Sequence, residues 1–203
     1  MVIRYPNGKS YSPPVSNPKK NKQSKKDYSF SNRGKTLEDE INETNEFYLD
    51  RNIAVIHKKP VPIQIVNVEY PSRSAAVIRE AYFKTPSTTD YNGVWKGYHI
   101  DFEAKETENP TSFPLKNIHP HQVEHMKSVI LQKGIAFLII RFSSADKYYA
   151  VPYSMLEEKW KRMLQGGRKS IPLKEFEQEA IEINTGYSPR INYLEAVEQM
   201  LGK

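Results

Sequence analysis

The chain has 203 residues, 38% of them hydrophobic, no cysteine and a formal charge of +6. That length can bury one sizeable core, so a single α/β or α+β domain is the expectation. The missing cysteines exclude a disulfide scaffold, a thiol nucleophile and any cysteine-held zinc or iron–sulfur group. No apolar run approaches the ~20 residues of a membrane span, and the amino terminus has no signal-peptide hydrophobic region, so a soluble, cytoplasmic protein is expected.

Residues 1–30 carry seven basic side chains against Asp27 alone, which accounts for the whole excess of charge. Rich in Lys, Ser, Asn and Pro and without helical or strand period, this stretch reads as a basic tail, disordered when free. Tyr5, Tyr11, Tyr28 and Phe30 are suited to stacking on bases or docking on a partner, and the lysines to releasing phosphate counterions. A merely solubilising tail fits the same composition.

One domain is expected over 31–203, with order beginning near Ser31. Thr36 to Asp39 fits a capping box, opening a helix to about Asp50 with Leu37, Ile41 and Tyr48 on one side. Glu38 falls in its first turn, where it either favours the helix dipole or takes part in chemistry. A short strand, IAVIH, follows. Residues 58–85 carry three prolines to Pro71, an extended run Ile63–Tyr70 and a short expected helix Ala75–Tyr82, and so read as an inserted, projecting arm. Lys58, Lys59, Arg73, Arg79 and Lys84 against Glu69 and Glu80 give it a basic balance suited to phosphate contacts, although an ordinary edge hairpin would look similar.

The stretch TTDYNGVWKGYHIDFEAK, Thr88 to Lys105, carries the chemistry. Asn92-Gly93 predicts a two-residue hairpin turn with Asp90 close to it. In the returning strand Ile100, Phe102 and Ala104 alternate with Asp101, Glu103 and Lys105, so the charged set is expected to face outward together. Asp90 and Glu103 from neighbouring strands could hold a hard divalent cation, with the Lys105 ammonium balancing developing negative charge. A solvated charged hairpin is the alternative.

Downstream, a helix is predicted from Pro120 to Lys133, stopped at Gly134, with Gln122 near its amide end, facing the sheet's ligands or simply solvated. IAFLIIRF, Ile135 to Phe142, predicts a buried central strand, and Tyr148 to Val151 another. Ser154 and Asn192 are expected to open the last two helices, the first closing at Gly166-Gly167. A rival signal is His121-Gln-Val-Glu124-His125, which matches the HxxEH pattern of inverted zinc proteases, with Glu157, Glu158 or Glu175 as third ligand.

The blocks SNRGKTLEDEINETN, AVIHKKPVPIQIV, RSAAVIREAYF, STTDYNGVWKG, IDFEAKET, TSFPLKNIHPHQVEHM, GRKSI and GYSPRINY, in this order, resemble the RecU family of bacterial Holliday junction resolvases in the PD-(D/E)xK nuclease superfamily. Thr89 stands where the superfamily has proline before the aspartate. The resemblance implies an α/β fold, a mixed β-sheet flanked by helices (a restriction-endonuclease-like core), with the arm as a projecting stalk that enters the open centre of a four-way junction. It implies a homodimer that nicks junction DNA symmetrically with Mg2+, or Mn2+ in its place, and that works with the strand-exchange recombinase and the branch-migration motor. By motif position, Thr88, Asp90, Glu103 and Gln122 would be metal ligands, Lys105 would stabilise the transition state, and Glu38 would match a first-helix acid. A non-catalytic junction-binding regulator of the recombinase would keep tail and arm but be indifferent to Asp90, Glu103 and Lys105.

Overall fold

The computed structural model describes residues 36–72 and 75–202. The tail at 1–30, the onset of order at Ser31 and Arg73 lie outside the described residues. Thr36 caps α1 (Leu37–Asp50): its hydroxyl accepts from the Asp39 amide at 3.3 Å, and the Asp39 carboxylate accepts from the Thr36 amide at 3.2 Å. Leu37, Ile41 and Tyr48 are buried on its inner side.

A six-stranded mixed sheet forms the centre, in the order β1-β4-β5-β7-β8-β10. Its members are β1 (Val55–Lys58), β4 (Tyr91–Trp95), β5 (Tyr98–Thr107), β7 (Ile135–Phe142), β8 (Lys147–Pro152) and β10 (Ile181–Glu182). Only β5 and β7 are parallel, and the crossover between them carries α2 (Pro120–Leu131), as a parallel pair requires. Among the described residues the remaining α-helices are α3 (Tyr153–Leu164), α4 (Leu173–Glu179) and α5 (Tyr193–Met200), and two short strands, β6 (Ser112–Pro114) and β9 (Ser170–Pro172), pair apart from the central sheet.

Alternation along the central strands divides the core into two layers. Ile100, Phe102 and Ala104 of β5 and Ile135, Phe137 and Ile139 of β7 pack with α1 and α5. Ala136, Leu138, Ile140 and Phe142 face the other way, against Val123 and Met126 of α2 and Leu156 and Phe176 of α3 and α4. Both faces of β7 are therefore dry, as its uninterrupted apolar run implies, and each fully buried large side chain contributes about 1.5–3 kcal/mol.

Three expectations are corrected. The hairpin turn lies at Lys96-Gly97, where both φ angles are positive (50° and 82°), and Trp95 pairs with Tyr98 across it. Asn92 and Gly93 are inside β4, so Asp90 stands at the opposite end of the hairpin from its turn. Gly93 is demanded by crowding: a Cβ there would meet the Val55 carbonyl oxygen at 2.1 Å and the Ile56 Cα at 2.5 Å. The segment read as a helix at Ala75–Tyr82 is a strand. β2 (Ile63–Ser72) and β3 (Ala75–Phe83) form an antiparallel two-stranded sheet of their own, broken by register shifts and exposed along nearly all its length. Pairing with β2 overrides the local helical tendency of AAVIREAY. Finally, Ser154 lies within α3, whose flanking residue is Pro152, because the chain turns into the helix directly from the end of β8.

Candidate active site and metal centre

Strand β5 carries Asp101, Glu103 and Lys105 on one face. The expectation that this set faces water is corrected: Asp101 is 1% exposed and Glu103 fully buried, because α2 crosses over that face on its way from β5 to β7. Burying a carboxylate costs several kcal/mol unless it is paired and hydrogen-bonded. Both are.

The register Tyr91 opposite Phe102 brings Asp90, the residue before β4, to Glu103. The Asp90 amide donates to Glu103 Oε2 at 3.0 Å, and Lys105 Nζ donates to Glu103 Oε1 at 2.6 Å. Burial, followed by the adjoining Asp90 side chain, pushes the Glu103 carboxyl up to about 7 against the pull of Lys105. Thr88 donates to the Thr89 carbonyl at 3.2 Å and lines, with Asp90, Thr89, Glu38 and Lys58, a cavity of about 240 Å³. Glu38, half-exposed in the first turn of α1, receives the Lys58 ammonium. Gln122 is buried at the third position of α2, and its Oε1 accepts from the His119 amide at 2.9 Å. A carbonyl oxygen has a second lone pair, so this bond leaves Gln122 one acceptor site free.

The donor set suits a hard cation. Mg2+ takes one or two carboxylates and fills its remaining positions with neutral oxygens, water and substrate, and Asp90 and Glu103 with Thr88 and Gln122 are oxygen donors of that kind. A site that pairs two carboxylates with one ammonium is also short of positive charge.

The basic residues of the arm are unlike one another. Arg79 pairs with Glu69 at 2.7 Å across β2 and β3, and Lys84 is exposed just beyond β3. Lys59, only 19% exposed, is turned inward to the Asp101 carboxylate at 2.9 Å. Sequence reasoning gave Asp101 and Thr89 no role in the site and His125 only the zinc-protease one, yet the three form a polar cluster here: Thr89 donates its hydroxyl to Asp101 Oδ1, and His125 Nε2 lies 3.1 Å from Oδ2. The alternation that placed Asp101 beside Glu103 was the available signal.

The zinc-protease arrangement does not form. His125 is engaged by Asp101, while His121 Nε2 is buried without a protein partner, and burial, then His119 and Lys105, lower its pKa. Glu157 pairs with Lys161, Glu158 with Lys159, and Glu175 with Lys159 and Arg162. Among the described residues no three His, Asp or Glu side chains gather into a metal cage, nor is any helix long and apolar enough to cross a membrane.

Comparison with known proteins identifies the family. The family model described as Recombination protein U matches residues 32–199. The Holliday junction resolvase RecU of Bacillus subtilis (strain 168) is 58% identical over 199 residues, covering 98% of this chain and 95% of its own. That of Bacillus cereus (strain B4264) is 54% identical over 200 residues, covering 98% of both chains. The solved structure of Hjc, a Holliday junction resolvase from Archaeoglobus fulgidus, covers 70% of this chain and 94% of its own at 11% identity and a TM-score of 0.40, too slight a likeness to carry an inference. With the family model matching most of its length and a relative 58% identical over 98% of it, the chain belongs to the RecU family.

Proposed function

We propose that this chain is a structure-specific endodeoxyribonuclease that resolves Holliday junctions by metal-dependent symmetric nicking in recombination and DNA repair. The observation that carries the reading is the meeting of Asp90, Glu103 and Lys105 at one end of the β4–β5 hairpin, with the Glu103 carboxylate fully buried between an amide and an ammonium.

Asp90 and Glu103 would hold the cation, with oxygens from Thr88 and Gln122. Mg2+ is the natural occupant and Mn2+ an alternative of the same hard character. When bound, the cation would supply a Lewis acid at the phosphate and make a bound water more acidic than bulk water, favouring in-line attack on phosphorus. Lys105 holds Glu103 and offsets charge on the non-bridging phosphate oxygens as the transition state forms. Glu38, on the rim of the same cavity, is a candidate further acid once Lys58 is drawn to phosphate.

The exposed β2–β3 arm is the element suited to entering the open centre of a junction, because a four-way junction is recognised chiefly through its shape. A two-fold homodimer would present two arms and two sites in fixed relation and so place paired nicks. Lys84, at the base of the arm, and Arg79, once drawn from Glu69, would supply phosphate contacts. The substrate implies work in the cytoplasm alongside the strand-exchange recombinase and the branch-migration motor, for which the basic tail is a docking element.

The test is strand-resolved cleavage of a labelled four-way junction beside a linear duplex of matched sequence, with Mg2+ or EDTA, for wild type and Asp90→Asn. Paired nicks in the junction alone, dependent on metal and lost in the variant while junction binding persists, are expected. Tight junction binding with no nicks under Mg2+ or Mn2+ would instead establish the non-catalytic regulator.

A further inference from the structure

Asp101 lies two residues before Glu103 on the same face of β5 and is almost wholly buried. Three separate pieces of chain converge on it, beside a neighbour on its own strand. Thr89, in the loop before β4, donates its hydroxyl to Oδ1; Lys59, just after β1, donates its ammonium to Oδ2 at 2.9 Å; and His125 of α2 lies 3.1 Å from Oδ2. His99, on β5 itself, has Nε2 3.8 Å from the same oxygen. Lys59 also reaches the Thr89 hydroxyl at 3.1 Å, closing a triangle of donors and acceptors.

An ion pair buried only for stability has little to recommend it, since apolar residues of similar volume serve as well or better. What distinguishes this one is where its partners stand. Thr89 is itself buried, and it is the residue between Thr88 and Asp90. Lys59 grips the next residue through a second contact, its amide donating to the Asp90 carbonyl at 2.7 Å. The loop that supplies two of the four expected ligands is thus tied to the sheet at the residue between them and at the backbone of the second. The same carboxylate ties α2, which carries Gln122, through His125 three residues along the helix.

We propose that Asp101 is a positioning residue for the cation site: through Thr89, Lys59 and His125 it holds the Thr88–Asp90 loop and α2 in register with Glu103. This assignment rests on the metal-dependent reading given above. It makes Lys59 part of the scaffold of the site, with its ammonium committed inward rather than to DNA phosphate.

The test measures Mn2+ binding to the DNA-free protein by electron paramagnetic resonance, together with single-turnover cleavage and junction affinity in EDTA, for Asp101→Asn, Thr89→Val and Thr89→Ser. Outer-shell partners of metal ligands change affinity by about 10–100-fold. Asp101→Asn and Thr89→Val are each expected to weaken Mn2+ binding at least about tenfold and to raise the metal concentration for half-maximal cleavage in parallel. Junction affinity in EDTA should stay within about twofold, and Thr89→Ser, which restores the hydroxyl, should recover wild-type Mn2+ binding. Thr89→Val keeps the side-chain shape and decides the matter if Asp101→Asn fails to fold. Unchanged Mn2+ affinity in a folded Thr89→Val protein, with any loss of cleavage tracking thermal stability alone, would overturn the assignment. A wild-type protein that neither binds Mn2+ nor cleaves would overturn the resolvase reading itself.

Discussion

The arm and the floor of β5 invert the usual rule of burial in opposite ways. Ile65, Val66, Tyr70, Ile78, Tyr82 and Phe83 of the arm are exposed, Phe83 at 83%, whereas Asp101 and Glu103 on β5 are sealed beneath a helix. Water would favour the reverse in both places. A two-stranded ribbon cannot bury its apolar side chains by itself, and an isolated hairpin is marginal at best. A carboxylate under a helix survives only through its partners, and Glu103 shares its two oxygens between the Asp90 amide and Lys105. Each inversion leaves surface or charge that another species can satisfy: a large shaped ligand in the arm, a small cation in the sheet. Under the proposed function the two regions divide recognition from chemistry, and substitutions in one should then spare the property of the other.

The largest separation is expected from Lys105→Met, which should lower the single-turnover cleavage rate by about 10²–10³-fold, the loss typical of a removed transition-state donor, while leaving junction affinity in EDTA nearly unchanged. An equal loss of binding would mean that chemistry and recognition are not divided as proposed.

A pH experiment probes the floor alone. Because the Glu103 carboxyl is raised in the folded protein, between about 4.5 and about 7 the folded state binds more protons than the unfolded chain. The metal-free protein should therefore lose stability as pH rises through that window, by up to ~3 kcal/mol or roughly 5–10 °C in Tm. The cost is absent below the lower value and complete above the upper. Mg2+ favours the ionised form, so the rise in Tm on adding it should be larger at pH 7.5 than at pH 5.5. Thermal scans in EDTA and in Mg2+ measure this, and a Mg2+ increment independent of pH would place the cation elsewhere.

Replacing residues 63–83 by a short Gly-Ser link examines the arm. The Lys84 amide donates to the Pro62 carbonyl at 2.9 Å, so the two ends are already together and the closure is short. Tm should change by only a few degrees, while the preference for a junction over a linear duplex should fall at least about tenfold, near 1.4 kcal/mol. Cleavage of nonspecific duplex at wild-type or greater rate would sharpen the division. The smallest effect is expected from Lys84→Ala. Loss of one phosphate contact should reduce the salt dependence of junction binding by about one unit of slope and weaken it uniformly across sequences. Lys59→Ala should leave that slope alone and impair metal binding instead, since its ammonium faces Asp101.

Much of this was legible in the chain. Period and capping located α1 and its buried side, the apolar run Ile135–Phe142 announced the central strand, and strict alternation put Glu103 and Lys105 on one face. These are local properties, set by the 3.6 and 2.0 residue repeats and by the chemistry of helix ends. What the sequence could not decide was everything that depends on a distant neighbour. Asn92-Gly93 looks like a turn, but β1 passing at van der Waals distance makes its glycine a packing residue and moves the turn to Lys96-Gly97. Ala75–Phe83 is a strand because β2 lies beside it. Asp101 and Glu103 have a charged face that reads as solvated until α2, some twenty residues later, covers it. Lys59 reads as a free cation until the fold brings it to Asp101. The sequence by itself determined which side chains share a face; only the tertiary structure decided which faces are dry, because desolvation comes from elements far away in the chain and burial is what converts a charged strand into a site.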